Sequence, residues 1–147
     1  MFIRFKAYIM PPTIKILGYA GLLPFITLAI VSIVLSENLL VRDALALYSF
    51  GIFTFLCGTW WPTTDMQNAK FWRIVLSNIL FLTAFFSFLL SPHQWLAIGA
   101  CLFNLIWAIE RFSSLIPPPP NTYSRLRTVL TMTASLSMIT SYLFGAA

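Results

Sequence analysis

Residues 107–127, WAIERFSSLIPPPPNTYSRLR, decide how this chain is read. They hold Glu110, Arg111, Arg125 and Arg127, four of the thirteen formal charges (nine basic, four acidic). They also hold four consecutive prolines, Pro117 to Pro120. Such a run cannot sit inside a helix, because each ring fixes φ and removes a backbone donor. It predicts a stiff polyproline II connector, rising about 3.1 Å per residue. The sequence on either side is almost wholly apolar. Placed at one membrane face, the stretch joins two spans and orders the rest.

Composition points the same way. Of the 147 residues, 59% are hydrophobic and 9% charged, and the mean hydropathy is +0.86. A soluble domain carries about 25% charged residues, so this chain cannot cover a water-facing surface and its solvent must be lipid. A spanning helix needs about 20 apolar residues. Five such runs fit, at about 14–35, 43–61, 71–90, 95–114 and 126–146, and leave no room for a second domain. The expected fold is an all-α integral membrane protein, one domain over 1–147 formed by a single bundle of five transmembrane helices. The net charge of +5 sets orientation in such a protein and is no signal for nucleic acid.

The first run follows a basic segment with Arg4, Lys6 and Lys15. It is too long for a signal-peptide core of about 7–15 residues and reads as a retained first span, bent at Pro24 where a backbone donor is missing. A mitochondrial transit peptide would be richer in Ser and Arg, so the expected location is a bacterial plasma (inner) membrane, with the chain crossing it several times.

Small residues mark helix seams. Gly18, Gly21, Ala29, Ser32 and Ser36 share a face of the first helix. Ser36–Arg42 reads as a polar turn. Ala44, Gly51 and Gly58, with Thr54, share a face of the second helix, which ends at Trp60-Trp61-Pro62. Paired tryptophans there suit the lipid–water boundary. Ser77, Ala84 and Ser91 form a stripe on the third helix. Ala97, Cys101, Asn104, Ala108 and Arg111 are in register on the fourth. The fifth is rich in hydroxyls, among them Thr128, Thr131, Ser135, Ser137 and Ser141, which predicts a central or partner-facing position.

With five spans, one side collects Arg4, Lys6, Lys15, Lys70, Arg73, Arg111, Arg125 and Arg127, and the other keeps only Arg42. By the positive-inside rule the N-terminus is cytoplasmic and the C-terminus outside. Trp60, Trp61, Trp72 and Trp107 then lie toward the cytoplasmic face and Trp95 toward the outer one. Cys57 and Cys101 differ in depth by roughly 12 Å at 1.5 Å per residue, which excludes a disulfide between them.

The candidate polar cluster is Glu110, Arg111, Arg127, Arg125, Arg73, Asn78 and Asn104. A charge at the bilayer centre costs about 2.5–3.5 kcal/mol on insertion scales. Glu110, about one turn inside its helix end, therefore needs a partner, and Arg127, at the first turn of the next helix, lies at similar depth. Arg125 or Arg73 would be substitutes. Handling of protons by Glu110 is the alternative. Asn78 and Asn104 read as interhelical glue, and His93 as a solvated turn residue. No Ser/His/Asp, Cys/His or paired-carboxylate arrangement is present, and no metal or cofactor set, so the expectation is a protein that is not an enzyme and needs no cofactor.

Three segments carry a family resemblance: Leu17 to Phe25, LGYAGLLPF; Tyr48 to Trp61; and Tyr123 to Thr131, YSRLRTVLT. They resemble the domain-of-unknown-function 3429 family of small multi-pass membrane proteins, which includes the mitochondrial transmembrane protein 69. The second segment departs from the family pattern, since Cys57 and Trp60 stand where a glycine and a histidine are expected and Pro62 replaces a glycine. The resemblance sharpens the fold and implies no activity. The expected role is an accessory or assembly subunit, or a homo-oligomer, acting through helix–helix contacts with the lipid bilayer as solvent. The alternative is a small transporter or channel-like protein, with Asn78, Asn104, Glu110 and Arg111 along a polar path between the third, fourth and fifth helices.

Overall fold

The structure, a computed structural model, describes residues 12–35, 39–61, 71–113 and 121–145. These form α1 (Pro12–Ala20), α2 (Leu22–Val34), α3 (Leu39–Gly58), α4 (Phe71–Leu90), α5 (Trp95–Phe112) and α6 (Asn121–Phe144). A short 3-10 turn, Pro92–Gln94, leads into α5. Among the described residues there is no strand. The proline run, the 62–70 loop, Ser36, Arg4, Lys6 and Lys70 lie outside the described residues.

Four helical segments are long and apolar enough to cross a membrane: Pro12–Val34, Leu39–Gly58, Phe71–Leu90 and Pro92–Phe112. The longest helix, α6, is not among them, because hydroxyls and two arginines lower its hydropathy.

The first run divides at Gly21, one turn before Pro24, where Gly21 keeps helical dihedrals and bonds to the Leu17 carbonyl at 3.0 Å. The ring of Pro24 crowds the carbonyl four residues earlier and cannot donate to it, so the break falls one turn upstream. There Pro24 becomes a first-turn residue of α2, where its missing donor costs nothing. The Tyr48 hydroxyl of α3 donates to the Gly21 carbonyl at 2.9 Å, which ties the break to the next helix.

Other boundaries also move. Residues 39–42 are helical and not a turn. The same helix stops at Gly58, three residues early, and Thr59, Trp60 and Trp61 tighten into i−3 bonds to Leu56, Cys57 and Gly58. This tighter turn ends the helix before Pro62, whose ring disfavours helical geometry at the preceding residue. α6 begins five residues earlier than the hydropathy places it, since its first turn is polar.

The core follows from helical spacing. Leu22, Phe25, Ala29 and Ser32 line the inner face of α2, and Ser77, Leu80 and Ala84 that of α4. α6 packs most extensively on α5 and α2, while α4 leans on α3 and α5. Phe25, Phe53, Phe103 and Trp95 meet edge to face, with Phe25–Phe103 centroids 6.1 Å apart and Phe53–Phe103 centroids 5.5 Å apart. Most large apolar side chains on the outside, such as Leu40, Leu90, Phe112 and Leu136, remain exposed, as lipid-facing residues do.

Candidate functional site at the Glu110 end of the bundle

Glu110 lies in the last turn of α5 and Arg127 in the second turn of α6. Their side chains meet head on: Arg127 Nε donates to Glu110 Oε2 at 2.8 Å, and Nη2 donates to Oε1 at 2.8 Å. The fork matches the carboxylate, which gives a charge-assisted bidentate pair. Trp60 Nε1 donates to Glu110 Oε1 at 2.9 Å. One carboxylate therefore gathers α3's end, α5 and α6.

Trp60 was the member that sequence reasoning missed. Read as a boundary anchor, it is 2% exposed. A buried indole needs an acceptor for its N–H, and Glu110 is that acceptor. Trp95, too, turns inward: it is fully buried and donates to Ser49 Oγ at 2.9 Å. Trp61 and Trp72 remain exposed.

The other candidate residues do not converge on Glu110, although Arg111 and Arg125 line one groove. Arg111 is exposed and donates to Ser124 Oγ at 3.3 Å. Arg125 is exposed. Arg73 does not take a place on Glu110; its Nε is buried without a partner among the described residues. Asn104 bridges helices, with Nδ2 donating to Ser135 Oγ at 3.0 Å and to its own Ala100 carbonyl. Asn78 does not: it is exposed and donates to the Ile74 carbonyl of its own helix at 2.9 Å. The amide satisfies itself locally because the stripe that packs, Ser77 and Ala84, lies one residue to the side. Asn78, Asn104, Glu110 and Arg111 thus line no continuous polar path, since Asn78 and Arg111 are exposed and Asn104 and Glu110 are held by Ser135 and Arg127.

The small-residue seams divide into two kinds. That of α1 and α2 is filled from within: a Cβ on Gly18 would stand 3.3 Å from Leu126, and Ser32 Oγ meets Ser141 Oγ at 2.7 Å in a buried hydroxyl pair. Buried hydroxyls of α6 thus face α2 and α5. On α3, by contrast, Gly51 and Gly58 are exposed, and a Cβ on either would meet nothing within 4 Å among the described residues. Cys57 is buried, Cys101 exposed, and both are free.

An apolar cleft of about 460 Å3 opens between the first run, α3 and α6, lined by Leu17, Gly21, Phe25, Phe55, Leu130 and, as its charged member, Arg127. Its volume falls in the range of about 300–1,000 Å3 common to ligand pockets. Arg127 is already engaged by Glu110, so the cleft has no free charge to fix a polar group.

No curated protein and no solved structure matches this chain. The model of a family described as protein of unknown function (DUF3429) matches residues 10–143, nearly the whole length over which these helices and the Glu110 cluster are built, and the chain belongs to that family.

Proposed function

We propose that this is a five-span, non-enzymatic protein of the bacterial plasma membrane, acting as an accessory or assembly subunit or a homo-oligomer through helix–helix contacts. The observation that carries the reading is the open seam on α3. Among the described residues nothing stands within 4 Å of a Cβ placed on Gly51 or Gly58, both exposed, and the half-buried Thr54 between them has its Oγ1 turned onto the Gly51 carbonyl at 2.8 Å. In lipid, helices associate through such small residues because backbones can approach closely.

α6 as fifth span is supported by its length and by its sidedness. Twenty-four residues rise about 36 Å against a hydrocarbon core of about 30 Å. Its buried polar side chains, Thr131, Ser135, Ser137 and Ser141, turn inward, while Val129, Met132, Leu136 and Leu143 turn outward. A cytoplasmic N-terminus is supported by the split of charges: Lys15, Arg111 and Arg125 line one groove, whereas Arg42 donates to the His93 carbonyl at 3.1 Å and stands 5.9 Å over the Tyr142 ring.

The test is cross-linking in intact membranes. Single cysteines at Gly51 or Gly58, in a background lacking Cys57 and Cys101, are expected to form a discrete cross-linked species. Gly51→Leu with Gly58→Leu is expected to abolish it without unfolding the chain. A strict monomer in mild detergent and in membranes overturns the reading.

A further inference from the structure

Lys15 and Tyr19 of α1, Trp107 and Arg111 of α5, and Ser124 and Arg125 of α6 line an open groove of about 1160 Å3. It holds three cations and no carboxylate. Of the four acids in the chain, Glu110 is held by Arg127, Asp43 stands beside Arg42 at the start of α3, and Glu37 and Asp65 lie outside the described residues. Among the described residues Arg111 donates to the Ser124 hydroxyl at 3.3 Å. The Trp107 indole is held in place by donating to Thr128 Oγ1 at 3.0 Å. Val129 is the exposed aliphatic residue of the groove's own lining, and on the same two helices Ile16 of α1 and Met132 of α6 are exposed and apolar.

We propose that this groove binds an anionic phospholipid, its phosphate among Lys15, Arg111 and Arg125 and its acyl chains along the outer faces of α1 and α6. Three observations support that occupant together. Among the described residues no carboxylate pairs with these cations, so an anion is favoured. An amphipathic rim of Tyr19 and Trp107 suits the headgroup level of a bilayer. The adjoining surface is apolar, which favours a ligand with hydrocarbon over a bare ion. Basic pockets between membrane helices hold anionic lipid headgroups by this combination of charge and depth. The apolar cleft, which shares Leu126 with the groove, has Arg127 as its charged member, and that side chain is held by Glu110.

Native mass spectrometry of the full chain in mild detergent, with phosphatidylglycerol, phosphatidylcholine or inorganic phosphate added, tests the proposal. The expected result is retention of phosphatidylglycerol, weakened by salt, with little phosphatidylcholine and no competition from millimolar phosphate. Near an anionic surface each basic side chain contributes about fivefold in binding, so Lys15→Gln/Arg111→Gln/Arg125→Gln is expected to lose about a hundredfold. The charge-preserving Lys15→Arg/Arg111→Lys/Arg125→Lys is expected to keep most of the retention. Equal retention of both lipids, or a neutralised variant that binds like the parent, overturns the proposal. Displacement by inorganic phosphate makes the groove a free-phosphate site and also overturns it. Should the neutralised variant not fold, the lipid-class, salt and phosphate arms on the unaltered protein decide the matter.

Discussion

Arg127 grips Glu110 through two parallel bonds of 2.8 Å, and the pair is 10% and 15% exposed at its side chains. A bonded pair this sheltered is costly to break by halves, because the surviving charge loses its counter-charge where little water can replace it. Removing one partner of a buried pair costs about 3–5 kcal/mol. Glu110→Gln and Arg127→Gln are each expected to lower stability in detergent by about 3 kcal/mol, toward the lower end because the site is not fully dry. In the double variant the losses are not additive. Arg127→Lys is expected to rescue little, since an ammonium cannot match the fork. Thermal melts of the four variants check this, and strict additivity would contradict a direct pair.

Trp60→Phe separates packing from hydrogen bonding at the same site. The ring remains buried, and only the Nε1 donor to Glu110 is lost. A hydrogen bond to a charged group contributes about 1.5–3 kcal/mol, and Arg127 still satisfies the carboxylate. The expected loss is about 1.5 kcal/mol, read as a lowered unfolding midpoint, and it should vanish in a Glu110→Ala background, which has no acceptor.

The two in-span asparagines are expected to behave differently. Asn104 bonds across to Ser135, an interaction of about 0.6 kcal/mol on average between membrane helices, so Asn104→Ala should destabilise by about that amount. Asn78 serves only its own helix, and Asn78→Ala should leave the midpoint unchanged or raise it. Parallel melts of the two variants decide.

Glycine substitutions should change sign between helices. A Cβ on Gly99 would stand 2.6 Å from Met138 Cε and 3.1 Å from the Trp95 ring. The methionine tip can move, but the fully buried indole cannot, so Gly99→Ala should cost about 1–3 kcal/mol through overpacking. At Gly51 the added methyl meets nothing, and alanine is the better helix former by about 1 kcal/mol. Gly51→Ala should therefore leave the isolated chain as stable or more so, while weakening any assembly that uses the α3 seam.

The amino-acid sequence by itself determined the class of this protein and the rough place of its helices. Charge this sparse cannot cover a soluble surface, and apolar runs of about twenty residues between polar breaks have few other uses. It also determined that Glu110 needs a partner, because a carboxylate near the end of an apolar run must be neutralised, and Arg127 is close in depth. Tertiary structure decided what spacing along one helix cannot express. Which of several equally small seams is filled depends on what packs opposite: the one with Ser32 is closed by Ser141, while that of Gly51 is left open. Whether a tryptophan turns to lipid or inward depends on an acceptor carried by another helix, as Glu110 is for Trp60 and Ser49 for Trp95. Asn78 and Asn104 look alike in sequence and part company for the same reason, since only one of them faces a neighbour.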